Sequence, residues 1–219
     1  MVVVDDNGNI KAGDITETEL IESLLRAGIY RARDAVGLDI DYQGKTYSRT
    51  QGAINLSMGE DFNSFVMYGG RMRCNVADDG TINAFYGDIS YADDGSNGQV
   101  MVYQPKFYYQ RLPLKMDNHI IRSESIIISA RKQAGFKLHP IFDDGNGGEL
   151  DYVLFSAYDG TLVDDKLSSI ANRQPATTIT IAQAESYANA RGEGWHIINM
   201  AAESANQMLQ IVEYGTMNG

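Results

Sequence analysis

The chain has 219 residues, 43% of them apolar, and a formal net charge of -11. That apolar content is enough for a buried core, and 13 tyrosines argue against a disordered chain, which lacks the aromatic side chains that offset chain entropy. The acidic balance disfavours nucleic acid and anionic membrane surfaces, both bound through Lys and Arg, and a lone cysteine, Cys74, excludes an internal disulfide and the multi-cysteine zinc sites.

The opening Met1-Val2-Val3-Val4 runs directly into Asp5 and Asp6, too short an apolar run for a signal peptide, and no later segment is long enough to span a bilayer. The first predicted element is a helix near residues 16–28. Thr16 and Glu19 have capping-box spacing, and Leu20, Leu24 and Ala27 follow on one face, widened by Ile21 and Leu25. We assign residues 1–30 as an N-terminal attachment or oligomerisation segment and 31–219 as the body.

From about residue 39 to 160, short runs rich in Ile, Val, Tyr and Phe alternate with glycine-containing turns, the pattern of antiparallel strands. The turns are Asp78-Asp79-Gly80, Asp93 to Gly98 and Asp143 to Gly148, where glycine tolerates positive φ and Asp or Asn bonds nearby backbone. Strands are expected at 82–87, 99–109, 125–130 and 151–157, with 141–142 leading into the last hairpin. Pro105 makes the second strand bent or places it at a sheet edge. Residues 159–178 read as a long surface excursion.

Thr180 and Gln183 then predict a capped helix with Ile181, Ala184 and Ala188 on one face, ending before Gly192 and Gly194. A short strand is expected from Trp195 to Ile198. Asn199 caps a second helix whose apolar side carries Ala201, Ala205, Met208, Leu209 and Val212, and Gly215 can stop it. The fold class is therefore α+β: an antiparallel β-rich body with C-terminal helices and an N-terminal helix.

Reactive chemistry finds little support. A calcium EF-hand needs a glycine sixth and a glutamate twelfth in its loop, but from Asp5 those positions hold Ile10 and Thr16, and from Asp144 the third ligand is lost at Gly148. Metal and cofactor sites are accordingly expected to be none. The imidazole bases available are His119, His139 and His196, none in a nucleophile-elbow pattern, and Cys74 between Arg73 and Asn75 reads as a core thiol. Phosphate-loop and dinucleotide fingerprints are missing. Carboxylates are too numerous for sequence to select a glycosidase pair, which is defined by distance in space. The consecutive aromatics Phe85-Tyr86 and Phe107-Tyr108-Tyr109 would alternate between sheet faces, either covered on both or leaving a ring exposed for sugar or protein contact. The expectation is a binding or structural protein with no catalytic residues.

Several runs resemble a family of phage tail proteins, the tail-fibre or minor structural proteins. They are Arg33 to Leu38, Met72 to Asp88, Asp94 to Val102, Pro105 to Tyr109, Ala134 to Pro140, Ser156 to Tyr158, Gly194-Trp195-His196 and Glu213 to Asn218. The resemblance covers roughly residues 30–219. It implies a virion tail position, other phage tail proteins as partners, a homo-oligomer with a trimer favoured, contact with a bacterial surface glycan or protein, and synthesis in the host cytoplasm. The Gly-Trp-His run between two helices is also similar to the opening of a C-type-lectin-like fold, as in phage tropism determinants, whose ligand loops lie later in the chain. Formylglycine-generating oxidases share that fold but use a cysteine pair. The alternatives to host attachment are a purely structural tail or decoration role and a virion-associated glycan hydrolase.

Overall fold

The protein is described from a computed structural model, over residues 34–217. The helix expected near residues 16–28, and the whole of the 1–30 segment with it, lies outside the described residues. The described chain is α+β, and all its strand pairings are antiparallel.

The larger sheet contains β1 (Ala35–Asp41), β2 (Thr46–Gln51), β6 (Tyr108–Asp117), β7 (Ile120–Ser129) and β8 (Lys137–Leu138), ordered β2-β1-β7-β6-β8. A second sheet orders β4 (Ile82–Phe85), β3 (Met72–Val76), β5 (Gln99–Pro105) and β9 (Tyr152–Ser156) as β4-β3-β5-β9. A separate hairpin pairs β10 (Thr161–Val163) with β11 (Lys166–Ser168). The α-helices are the single turn α1 (Val66–Gly69), then α2 (Ile181–Asn189) and α3 (Met200–Tyr214).

Alternation along β1 sends Val36, Leu38 and Ile40 to one face, opposite Ile128 and Ile126 of β7. Ala205, Met208, Leu209 and Val212 recur at helical spacing on α3 and join the same buried cluster with Phe62, Met67, Phe107 and Phe142. Each fully buried side chain of this size contributes about 2 kcal/mol. Asn199 Oδ1 accepts the Ala202 N–H at 2.9 Å, and Gly215 stops the helix at φ 68, its N–H reaching the Ile211 carbonyl at 2.9 Å. Tyr68 donates to the Leu209 carbonyl at 3.0 Å, fastening α1 to α3. Gly69 must lack a side chain, because a Cβ there would stand 2.0 Å from the Asn63 carbonyl oxygen.

The second sheet builds a smaller cluster from Cys74, Val76 and Met101, with Phe85, Tyr103 and Trp195 packed against it. Val153 and Phe155 of β9 pack against the main core, while Leu154 between them faces the smaller one. Strand β9 therefore joins the two clusters.

Several expectations are corrected. The run 99–109 is two strands in different sheets, β5 and the start of β6, because the chain crosses over at Lys106 and Phe107. Strand β5 is interior; Pro105 is tolerated because β3 pairs no further than Tyr103, so the missing N–H falls beyond that ladder. The strand expected at 125–130 begins at Ile120, and that at 82–87 ends at Phe85. Residues Pro140–Phe142 form a 3-10 turn rather than a strand. The 159–178 stretch holds the β10–β11 hairpin and buries Thr161, Ser168, Ser169 and Ile170. Residues 195–198 pair with no strand; Trp195 is instead held by its indole N–H on the Asp78 carbonyl at 2.9 Å. Strands β1, β2 and β3 were not expected as such.

Candidate functional site

Strands β6 and β7 form a hairpin of two ten-residue strands turned at Asn118 and His119, both at positive φ, 46 and 64°. Such a pair of left-handed residues matches the right-handed strand twist. Its root lies inside the larger sheet. Strand β1 pairs with β7 from Ser123 to Ser129, and β8 pairs with β6 only at Tyr108 and Tyr109. Beyond these contacts β6 has an outer edge, Gln110 to Asp117, with no strand neighbour among the described residues.

The projecting part is apolar. Leu112, Leu114, Met116, Ile120 and Ile121 are 38% to 54% exposed. A cluster of exposed aliphatic side chains on one projection makes it the candidate contact surface, because leaving it in water forgoes burial. The edge itself is poorly suited to adding another strand: Pro113 has no N–H, and register shifts interrupt the ladder between Pro113 and Lys115 and between Lys115 and Met116. A partner docking here would be held by side chains.

A strut of three residues fixes the hairpin to its neighbours. Glu124, 2% exposed, accepts bonds from Arg111 Nε at 2.9 Å, from Arg111 Nη2 and from the Tyr42 hydroxyl. Burial alone would raise the Glu124 pKa, but the Arg111 and Tyr42 hydrogen bonds outweigh it and hold the carboxyl below its ordinary value. The Tyr42 hydroxyl is raised by burial and by the Glu124 carboxylate. Beside the strut, Tyr42, Gln43, Asp117, Ile121 and Arg122 line a small recess of about 200 Å³.

The residues singled out for chemistry are engaged structurally. His139 is 1% exposed, its ring 5.1 Å from Phe107 and 5.5 Å from Tyr109, and its Nδ1 accepts the Ile141 N–H at 3.4 Å. Burial pushes its pKa down to about 4. His196 is exposed, its Nδ1 2.7 Å from the Ile197 carbonyl, and His119 occupies the hairpin turn. Cys74 is buried in the smaller cluster and its thiol pKa is pushed up to about 11 by burial. The acidic turns fold back on their own backbone: Asp79 accepts Thr81 N–H, Asp94 accepts Ser96 N–H, and Asp144 accepts Asn146 and Gly148 N–H at 2.8 and 2.7 Å. Among the described residues, no group of three or more His, Cys, Asp or Glu side chains is placed to hold a metal ion. Phe107 and Tyr108 are buried and Tyr109 half-buried, so that run is covered, whereas Tyr86 stands exposed with its ring 5.3 Å from Tyr91.

Sequence reasoning missed one charged knot. Asp78 sits between Lys166 at 2.7 Å and Arg191 at 2.6 Å, and the Arg191 guanidinium lies 5.7 Å from the centre of the Trp195 ring. Burial works to raise the Asp78 pKa, but its Lys166 and Arg191 bonds prevail and lower it. The knot ties the β3–β4 turn, the β10–β11 hairpin and α2 together, a structural duty with no local sequence signal.

No protein-family model, no curated protein and no solved structure matches this chain. Among the described residues, no helix is long and apolar enough to cross a membrane.

Proposed function

We propose that this chain is a phage tail structural protein, a tail-fibre or tail-tip component that works by surface contact, with host attachment multiplied by valency in a homo-oligomer. The observation that carries the reading is the β6–β7 hairpin, whose rigid root and exposed aliphatic tip suit docking. The runs that resemble tail proteins add support from the sequence; the Met72 to Asp88 run falls on β3, its turn and β4. We extend the reading to fold: α2, the Gly194-Trp195-His196 segment and α3 are the opening of a C-type-lectin-like arrangement.

The test is mass spectrometry of purified particles, followed by competition of the isolated protein with phage adsorption. Presence in the tail together with competition is the expected result; absence from particles overturns the reading. A purely structural tail role is the second reading, favoured by the small volume of the recess beside the hairpin, about 200 Å³. Presence in particles without competition would select it. Sugar released from a surface polysaccharide would point instead to a glycan hydrolase.

A further inference from the structure

The exposed hairpin tip calls for a partner surface, and the chain carries one with matching chemistry. Residues 108–129 hold Arg111, Lys115 and Arg122 against Asp117 and Glu124, three positive and two negative, a net of +1. The whole chain is at -11, so everything outside that segment sums to -12. Within the hairpin Arg111 is paired with Glu124 and Arg122 with Asp117 at 3.2 Å, so the charge the apolar tip offers a partner is that of Lys115.

At the opposite end of β6 lies the complement. The Asp143 to Gly148 turn closes with a bridge between Asp143 and Glu149 beside the start of β6, where Glu149 accepts the Tyr108 hydroxyl. Leu150 and Tyr152 are exposed there, at 41% and 36%, among Asp143, Asp144 and Asp151. Lys106, 3.3 Å from Glu149 and 3.1 Å from Asp151, offsets only part of that negative charge. Ten residues of strand separate this end from the tip, roughly 30 Å at strand rise, so one copy cannot bring the two together.

We propose that the hairpin tip of one copy docks on the Leu150–Tyr152 end of a second copy, head to tail. The proposal rests on the reading of the hairpin as a contact element and names its partner. Leu112, Leu114 and Met116 would cover Leu150 and Tyr152, while Lys115 faces the aspartates of the acidic turn. Apolar contact supplies the affinity, and Lys115 against the acidic turn sets the orientation. A head-to-tail contact between identical copies closes into a ring when its rotation permits.

Light scattering on the full chain tests this. The wild-type protein is expected to exceed monomer mass, with association weakened about thirtyfold or more both by the tip pair Leu114→Asp and Met116→Asp and by the acceptor pair Leu150→Ser and Asp151→Ser. Thermal unfolding confirms that each variant is folded; a variant that fails to fold is replaced by Lys115→Glu or Asp151→Lys alone. Mixing the tip variant with the acceptor variant leaves one usable contact, so a one-to-one pair should form and grow no further. A monomeric wild type, an oligomer indifferent to the acceptor changes, or no pairing on mixing would each overturn the proposal. Particle composition, which tests the tail reading, is measured separately, so either idea can fail alone.

Discussion

The same two strands behave differently along their length. At their root, Ile126 and Ile128 of β7 are buried under α3 and flanked by β1, whereas a few residues farther on Ile120 and Ile121 stand in solvent. Residue type is constant; the neighbours change. Isoleucine in this hairpin stabilises the fold where β1 and α3 cover it and remains available for contact where they do not, so fold and contact surface can be perturbed separately.

Substitutions at the root should cost most. Leu209→Ala removes a side chain 1% exposed from the α3 face and is expected to lower unfolding stability by about 3 kcal/mol, read by urea denaturation. Buried Cys74 offers an independent readout: with its pKa pushed up to about 11, it should resist thiol reagents at pH 8 in the folded wild type and react as the variant opens.

Acid should act next, through His139. Its folded pKa of about 4 lies below the ordinary 6.5, so the unfolded chain binds a proton that the folded chain refuses. The His139 contribution should therefore be lost as pH falls from about 6.5 to 4, at a cost of roughly 3 kcal/mol, and below that window protonation of the Glu124 and Asp78 carboxyls, both held below their ordinary values, should lower stability further. His139→Met should flatten that part of the profile. Breaking the strut between root and tip comes third: Arg111→Met leaves the Glu124 carboxylate buried without its main partner. About 2 kcal/mol is expected, less than for a fully buried pair because the Arg111 side chain is 51% exposed. At the tip, Leu114→Asp should change unfolding stability by under about 0.5 kcal/mol while weakening association.

Local signals made some of this fold legible. The Thr180 and Gln183 capping box forms reciprocally, with Gln183 N–H on Thr180 Oγ1 at 3.2 Å and Thr180 N–H on Gln183 Oε1 at 2.9 Å. The Asn199 cap, the α3 stripe and the Gly215 stop are likewise encoded within a few residues, as are the aspartate-glycine turns. Strands β1 and β3 do carry a local signal, the alternation of Val36, Leu38 and Ile40 with Asp39 and Asp41 and of Met72, Cys74 and Val76 with Arg73 and Asn75, but each is short and its bounds are fixed by its partner strands. Trp195 to Ile198 failed in the opposite sense: its residues favour a strand, but no sheet edge meets them. The candidate site was hidden for a related reason. Its turn is Asn118-His119 rather than Asn-Gly, and Pro113, Lys115 and Asp117 obscure a strand that pairing with β7 holds in place.

The most direct measurement is zero-length carbodiimide cross-linking of a mixture of isotopically light and heavy copies, read by mass spectrometry. Peptides joining Lys115 of one label to Asp144 or Asp151 of the other are expected, in proportion to random mixing. Recovery of cross-links at the Lys106–Asp151 pair within single copies, with none from Lys115 across labels, would contradict the hairpin as the surface through which copies meet.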